Sequence, residues 1–187
     1  MPNQFAIKCN HGSGYNIAVT NKADFNKDEV FAKLNYWLEE DYSIISAEHQ
    51  YHKIPRKIII EKNLTDGHGS LPIDYKFFAS RGNIICCLSI SGRAEHSTKR
   101  FFSDEKFNGI SVLNKCVDSF DAKKPKKYDE MIEVAKTLSK DFPFVRVDLY
   151  ETEKGVIFGE LTFTPMGCNH YYLSNEAQEF MSSKTII

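Results

Sequence analysis

Residues 144–163, FVRVDLYETEKGVIFGELTF, alternate apolar and polar side chains on either side of a short polar loop. This alternation is typical of two antiparallel strands that bury one face. A three-residue loop, Glu153-Lys154-Gly155, with its glycine in the left-handed conformation, would join the strands and pair Thr152 with Val156. The segment therefore predicts a β-hairpin.

Counting outward from the predicted turn puts charged side chains opposite one another. Asp148 falls across from Glu160, and Arg146 across from Thr162, so these four residues share one face. The other face is apolar and carries Val145, Val147, Leu149, Ile157, Leu161 and Phe163. Two carboxylates directly opposite in a sheet have Cβ atoms roughly 5 Å apart and repel each other unless a cation lies between them.

Magnesium is the metal that this acidic pair favours. Hard oxygen ligands without a nearby histidine or thiolate suit Mg²⁺, which takes one or two carboxylates and completes its shell with water and phosphate oxygens. Arg146, beside Asp148 on the same face, would then contact a phosphate or acyl-phosphate oxygen. The alternative is that Arg146 neutralises Asp148 and Glu160 as an ordinary surface charge cluster.

A second candidate site lies near the N-terminus, where short apolar runs at residues 5–8 and 17–19 flank a glycine-containing loop. Lys8 ends the first run and Gly12-Ser13-Gly14 follows within six residues, so an ammonium group and free backbone N–H groups can converge on a phosphate. The spacing is neither GxxxxGK[ST] nor GxGxxG. An ordinary hairpin turn at His11 to Gly14 is the alternative.

The run from Lys57 to Glu61 is continuously apolar in its middle, which predicts a central strand with both faces covered. The segment that follows, Glu61-Lys62-Asn63-Leu64, would either offer backbone groups to a flat base or simply end the strand. Thr65 to Pro72 is predicted as a loop because of its glycines and proline.

Residues 74–79 and 84–89 are predicted as another hairpin, joined by the turn Ser80-Arg81-Gly82-Asn83. Alternation puts Asp74, Lys76 and Phe78 on one face. Lys76 either reaches inward as a second cation for phosphate or pairs with Asp74 at the surface.

Two helices are predicted from apolar residues at helical spacing. One runs from Lys27 to about Glu40 with Asn26 as its cap, and the other runs from Tyr128 to Lys140. Pro143 stops any continuation of the second helix.

Composition limits the class of protein. The 187 residues are enough for one well-packed domain or two small lobes, and 24 Lys plus Arg nearly balance 25 Asp plus Glu, which argues against nucleic acid as a partner. The five cysteines form no CxxC pair, which favours reduced thiols and a cytoplasmic location. The N-terminus lacks a secretion signal, and no apolar run approaches the roughly 20 residues of a membrane span.

The order of these motifs resembles the ATP-grasp superfamily. The stretches FAIKCNHGSG, IIIEKNL, DYKFF, DFPFVRVDLY and FGELTFTP are particularly similar to the TupA-like branch, named for teichuronopeptide biosynthesis, over about residues 4–167. The resemblance implies an α+β fold of two small lobes whose largely antiparallel sheets enclose a nucleotide cleft. Residues 1–62 would form the smaller lobe and residues 63–187 the larger one. The chain starts abruptly, so we expect the N-terminal lobe of the superfamily to be missing.

The resemblance also implies roles for individual residues. Lys8 would contact ATP phosphates, with Lys76 as a second cation, and the backbone of Lys62 and Leu64 would hold adenine beside Glu61. Arg146 would stabilise the transferring phosphoryl group. The loop that closes over the phosphates would comprise His11, Gly12, Ser13 and Gly14. The metal ligands would be Asp148, Glu160 and, as a weaker ligand where the superfamily usually has asparagine, Thr162.

The activity implied by the resemblance is an ATP- and Mg²⁺-dependent ligation in surface-polysaccharide assembly. A carboxylate, on a sugar acid or glycan-linked molecule, would be activated as an acyl phosphate and attacked by an amine. A non-catalytic nucleotide-binding module is the first alternative, because of the expected missing lobe. A phosphotransferase acting on a sugar hydroxyl is the second.

Overall fold

The structure is a computed structural model that describes residues 2–46, 48–64, 71–92, 98–117, 120, 122–168 and 173–186. The chain divides into two compact units, Met1–Asn63 and Leu64–Ile187. Most of the loop predicted from Thr65 to Pro72 lies outside the described residues. No helix in the described ranges has both the length and the apolar character needed to cross a bilayer.

The first unit is built on a three-stranded antiparallel sheet in the order β2-β1-β3. Its strands are β1 (Phe5–Cys9), β2 (Asn16–Val19) and β3 (Ile58–Lys62). Helices α1 (Lys27–Glu39) and α2 (Tyr42–Ser46) and short 3₁₀ turns at Lys22–Asp24 and His49–Lys53 complete it. The predicted cap is confirmed, because the Asn26 side chain accepts a hydrogen bond of 3.3 Å from the Glu29 N–H.

One face of this sheet is covered and the other is open. Phe5 and Ile7 point from β1 into a core with Leu34 and Trp37 of α1, as the period of two along a strand requires. Lys8 lies between the buried residues of β1 and points to the opposite, exposed side. The amphipathic pattern of α1 and β1 therefore leaves the lysine available on the open face.

The prediction for β3 is wrong. Ile58, Ile59 and Ile60 are 43–51 % exposed, and β3 is an edge strand that pairs with β1 within the described part of the chain. An apolar run specifies β propensity but not the position of a strand in the sheet, since that position depends on which partners the chain brings to each edge.

The second unit contains a five-stranded antiparallel sheet in the order β6-β5-β4-β7-β8. Its strands are β4 (Asp74–Ser80), β5 (Asn83–Ser91), β6 (Lys99–Ser103), β7 (Val145–Thr152) and β8 (Gly155–Thr162). Its helices are α3 (Ser111–Asn114), α4 (Tyr128–Ser139) and α5 (Asn175–Ser183). The α+β class and the largely antiparallel sheets predicted from the sequence are confirmed.

The β4–β5 hairpin closes through a two-residue turn, as predicted. Arg81 and Gly82 have φ angles of 48° and 79°, the paired left-handed conformation of a type I′ turn. Such a turn matches the right-handed twist of the strands that it joins. This hairpin places β4 in the middle of the sheet, where all seven of its residues are buried.

The two faces of the five-stranded sheet differ in chemistry. One face packs Phe77 and Val147 against Tyr128, Met131 and Ala135 of α4. The opposite face is apolar on β5 and β6, where it packs against α3 and α5. Where it continues across β4, β7 and β8, it carries charged side chains.

The turn of the β7–β8 hairpin differs from the prediction. Thr152 pairs with Gly155 across a two-residue turn, not with Val156 across three residues. The register then shifts by one residue next to Asp148, so that Asp148 still lies opposite Glu160. Ile157, expected on the apolar face, instead pairs with Tyr150, which alternation places on the side of Asp148.

Candidate functional site

The charged cluster is built on one row of side chains across three neighbouring strands. Lys76 of β4 pairs in register with Asp148 of β7, which pairs with Glu160 of β8. The Lys76 ammonium contacts the Asp148 carboxylate and lies 2.9 Å from Oδ2 of Asp74. The side chains of Asp74, Lys76 and Asp148 are buried. Lys76 therefore pairs with Asp74, as one of the two alternatives predicted, but the pair is buried and does not lie at the surface.

Arg146 links the two carboxylates that the sequence analysis placed opposite each other. Its Nε donates to Asp148 Oδ1 at 2.7 Å, and its Nη2 donates to Asp148 Oδ2 and Glu160 Oε1 at 2.8 Å each. Burial by itself lowers the pKa of Arg146, but the hydrogen bond and charge of Asp148, together with the charge of Glu160, raise it above its ordinary value. Arg146 is thus a permanent cation between two acids.

A β-bulge at Gly159 brings Glu160 to this face. Val156 and Leu161 both pack against the α4 core. Side chains on one face of a regular strand are an even number of positions apart, but these two are about five apart, so one extra residue interrupts the alternation between them. A Cβ on Gly159 would lie 2.8 Å from the Tyr150 ring and 3.0 Å from the Asp148 carbonyl oxygen. Only glycine fits this close approach without a shift of β7.

The cluster passes from the interior to the surface along its row. The Asp148 side chain is 2 % exposed, whereas the Glu160 side chain is 61 % exposed. Thr162, which lies opposite Arg146, donates to Glu160 Oε1 at 3.1 Å. Glu160 is therefore the member of the cluster that solvent and a ligand reach first.

The donor set fits magnesium. Within the described ranges there is no group of three or more His, Cys, Asp or Glu residues suited to a metal ion. Mg²⁺ needs only one or two carboxylates when water and phosphate oxygens complete its shell. Asp148 and Glu160 meet that need, and the Thr162 hydroxyl lies within hydrogen-bond distance of Glu160.

Lys8 and Glu61, predicted as separate parts of the nucleotide site, form an ion pair on the open face of the three-stranded sheet. In the register of β1 and β3, Lys8 lies opposite Ile59 and Ala6 opposite Glu61, so the two charged residues are diagonal neighbours. Their side chains are 46 % and 47 % exposed. Such a pair can separate at little cost when either partner meets a ligand.

The glycine loop has a fixed base and an open tip. His11 is buried and its Nε2 lies 2.8 Å from the Trp37 carbonyl oxygen of α1, so its side chain faces the core and not the loop opening. A Cβ on Gly12 would come within 3.0 Å of the rings of Tyr15 and Tyr42. Ser13 and Gly14 are exposed, and Gly14 has a φ of 80° with open space around it.

The two predicted adenine-binding positions, Lys62 and Leu64, lie at and just after the end of β3. Lys62 is the last residue of β3, opposite Phe5, and is exposed. Asn63 donates to the Val19 carbonyl oxygen at 3.4 Å, and Leu64 begins the second unit. Their role toward a base stays a prediction.

Asp74 is the residue of the cluster that sequence reasoning did not assign to the site. It was placed on the face of Lys76 by alternation, but a neighbouring lysine is an ordinary partner for a surface aspartate. The signal for its burial was the consecutive run Phe77-Phe78-Ala79, which places apolar side chains on both faces of β4.

Comparison with known proteins finds a matching family model and similar solved structures. A family model described as TupA-like ATP-grasp matches residues 1–185. A search of curated proteins gave no match. Among solved structures, the chain is similar to the ATP-grasp ligase PsnB complexed with a phosphomimetic variant of its minimal precursor, Mg and ADP, at 11 % identity and a TM-score of 0.43, covering 98 % of this chain and 47 % of that one.

A second structure of PsnB, complexed with the precursor peptide PsnA2 and AMPPNP, is similar at 12 % identity and a TM-score of 0.40, covering 85 % of this chain and 36 % of that one. The chain thus spans less than half the length of these proteins. The family match, in contrast, extends over nearly all of the sequence and includes every motif quoted above. This chain belongs to the TupA-like ATP-grasp family.

Proposed function

We propose that this chain is an ATP- and Mg²⁺-dependent ligase-type domain that activates a carboxylate as an acyl phosphate for amide bond formation. Membership of the ATP-grasp family supports nucleotide chemistry. The observation that carries the proposal is the meeting of Arg146, Asp148 and Glu160 on one face, with the buried Lys76 beside them. Two acids and two cations are the groups that a metal-bound triphosphate needs.

In the second unit, Asp148 and Glu160 would hold magnesium, and Thr162 would orient Glu160 through its hydroxyl. Magnesium, when bound, would neutralise charge on the phosphates. Arg146 and Lys76 would bind oxygens of the transferring phosphoryl group. Their long side chains both contact Asp148. Each would therefore need only to exchange a carboxylate oxygen of Asp148 for a nearby phosphate oxygen.

In the first unit, Lys8 would exchange Glu61 for a phosphate oxygen, because the exposed pair is weak. The backbone N–H groups of Ser13 and Gly14 would bind the same phosphates from the open tip of the loop. His11 would contribute by anchoring the loop to α1 and not by contacting phosphate. Lys62 and Leu64 would offer backbone groups to adenine.

The proposed reaction has two steps. A carboxylate oxygen attacks the γ-phosphorus of ATP, the bond to the bridging oxygen breaks, and ADP leaves with the electron pair. An amine nitrogen then attacks the acyl carbon, inorganic phosphate leaves, and the amine loses a proton. Arg146 and Lys76 stabilise the oxygens of the transferring group, so the chain acts by positioning and charge neutralisation.

The family likeness supports the substrate class that we propose. A carboxylate on a sugar acid or a glycan-linked molecule, processed in the cytoplasm during surface-polysaccharide biosynthesis, is the acceptor that we propose. Purified protein with ATP, Mg²⁺, candidate uronic acids and amines should release ADP, measured by a coupled assay. Magnesium-dependent ATP binding without ADP release for any of these would favour a non-catalytic module instead.

The metal assignment is tested by Glu160→Gln, with Glu153→Gln as the matched control. Glu160 is exposed, so removing its charge leaves the fold intact but should abolish magnesium-dependent ATP binding in isothermal titration calorimetry. Glu153 lies exposed in the turn of the same hairpin, and its replacement should leave binding unchanged. Asp148→Asn should abolish binding as well, with a fold verified by circular dichroism. Wild-type affinity in both site variants would contradict the proposal.

A further inference from the structure

The Arg146 guanidinium lies between the two carboxylates that would receive the metal. Its Nη2 donates to Asp148 Oδ2 and Glu160 Oε1 at 2.8 Å each, and its Nε donates to Asp148 Oδ1 at 2.7 Å. Lys76 also contacts Asp148 Oδ2. Both oxygens of Asp148 and one oxygen of Glu160 are therefore engaged by cations of the chain itself.

The charge of the cluster is almost balanced without a metal. Among the residues that the structure describes, three carboxylates, on Asp74, Asp148 and Glu160, face two cations, on Lys76 and Arg146, so that these five charges sum to −1. A free divalent cation that entered between the acids would have to displace Arg146 and would lie beside two positive groups. In that exchange the guanidinium would lose its bidentate bond to Asp148.

A metal that arrives on a triphosphate changes this balance. The phosphate oxygens accept hydrogen bonds from Arg146 and Lys76 at the same time as the metal takes their places on the carboxylates. Every charged group then keeps an opposite partner, which is the condition for a buried charge to be tolerated. The exposed Glu160 leaves a route by which the complex can reach the buried Asp148.

We propose that Arg146 makes the Asp148–Glu160 pair selective for a metal–nucleotide complex over the free divalent cation. The guanidinium occupies the position between the two carboxylates until phosphate oxygens replace them as its hydrogen-bond acceptors. This inference rests on the proposed function, because it takes Asp148 and Glu160 as the metal ligands. It assigns Arg146 a role before any transfer step, in addition to its role toward the phosphoryl group. Removal of the guanidinium should therefore change two affinities in opposite directions.

The experiment measures binding of Mn²⁺ alone, as a magnesium substitute, by loss of the free-ion signal in electron paramagnetic resonance. Arg146→Gln removes the charge and should tighten nucleotide-free Mn²⁺ binding on the order of tenfold or more. Arg146→Lys keeps a charge but lacks the fork that reaches two carboxylates, so its gain should be smaller. The same variants should bind the Mg²⁺–ATP complex more weakly than the wild-type chain.

Two controls fix the origin of the gain. Lys154→Gln removes the same charge from the exposed turn of the hairpin and should leave Mn²⁺ affinity unchanged. Asp148→Asn added to Arg146→Gln should abolish the gain, because one of the two ligands is then lost. If Arg146→Gln does not fold by circular dichroism, Arg146→Lys carries the test alone, with its smaller gain.

The outcomes separate this inference from the proposed function. Unchanged Mn²⁺ affinity in both Arg146 variants, or a gain that survives Asp148→Asn, would overturn the selectivity role while wild-type binding of Mg²⁺–ATP leaves the proposed function standing. A wild-type chain that does not bind Mg²⁺–ATP would overturn both.

Discussion

The molecule contains the same chemical pair, a lysine and a carboxylate, in two different settings. Lys8 and Glu61 meet on the open face of the three-stranded sheet with nearly half of each side chain exposed. Lys76 and Asp148 meet inside the five-stranded sheet with 8 % and 2 % exposed. An exposed pair adds roughly 0–1 kcal/mol to stability, whereas removing one partner of a buried pair costs about 3–5 kcal/mol. Position in the sheet, and not residue type, decides what the pair contributes.

The buried pair is tolerated because it is part of a larger network. Asp74 supplies a second acid to Lys76, and Arg146 supplies a second cation to Asp148. Each charge therefore has an opposite partner and hydrogen bonds to hold it, which offsets the cost of desolvation. The exposed pair has water as its alternative partner and needs no such support.

The largest difference between the two settings is expected when the same charge is removed from each. Lys76→Met should lower the free energy of unfolding by about 3–5 kcal/mol, because Asp74 and Asp148 lose a shared buried cation. Lys8→Met should lower it by less than about 1 kcal/mol. Urea unfolding, followed by circular dichroism, measures both. Equal losses in the two variants would show that burial does not separate the pairs.

A smaller effect is expected from Gly159→Ala, which leaves every charge in place and disturbs only the register. The added Cβ would meet the Tyr150 ring at 2.8 Å and the Asp148 carbonyl oxygen at 3.0 Å. Overpacking of this kind costs about 1–3 kcal/mol. We expect that loss in urea unfolding, together with weaker magnesium-dependent ATP binding, because Glu160 is displaced from Asp148. A variant with unchanged stability and affinity would show that the bulge does not set the position of Glu160.

The smallest effect concerns Asp41 of the first unit, whose side-chain exposure of 25 % lies between those of Asp148 and Glu61. The Ser43 hydroxyl, at 2.6 Å, and His52, at 2.9 Å, lower the pKa of Asp41 from 3.8 to about 2. A lowered pKa stabilises the folded chain above pH 3.8, and this contribution is lost as the pH falls toward 2.

Asp41→Asn removes that contribution. The wild-type chain should therefore be slightly more stable than the variant at pH 5, and the difference should shrink as the pH falls from about 4 to about 2. Thermal unfolding of both chains across this range measures it. A difference that grows on acidification would contradict the assignment of Ser43 and His52 as the partners that matter.

Much of the site could be predicted because local patterns specify faces. Period-two alternation brought Arg146, Asp148, Glu160 and Thr162 together, and their register is the observed one. The agreement at Glu160 nevertheless arose from two differences that cancel, a turn shorter by one residue and a bulge at Gly159. A lone glycine inside a strand signals a bulge only weakly, so the two solutions could not be separated from the sequence.

Other features depend on contacts between distant segments and could not be predicted. The prediction that both faces of β3 are covered is wrong, because an apolar run does not reveal which strand lies at an edge. For β4, the sequence left open whether Lys76 is buried or at the surface, and the strand is buried. His11 was expected at the phosphates, and its contact with Trp37 depends on a helix 26 residues further along. The role of His11 stays a prediction, but its side chain is turned toward α1.

The anchoring of the glycine loop, His11 to Gly14, has a consequence for the thermodynamics of ligand binding. Ordering one residue of a flexible backbone costs about 1–2 kcal/mol in conformational entropy. His11 and Gly12 are already held in the folded chain by α1 and by the rings of Tyr15 and Tyr42. The Gly14 carbonyl oxygen also accepts a hydrogen bond of 2.8 Å from the Asn16 N–H. An anion captured by this loop would therefore meet a backbone that is largely ordered beforehand, which keeps the entropic penalty of closure to a fraction of that for a loop free along its whole length.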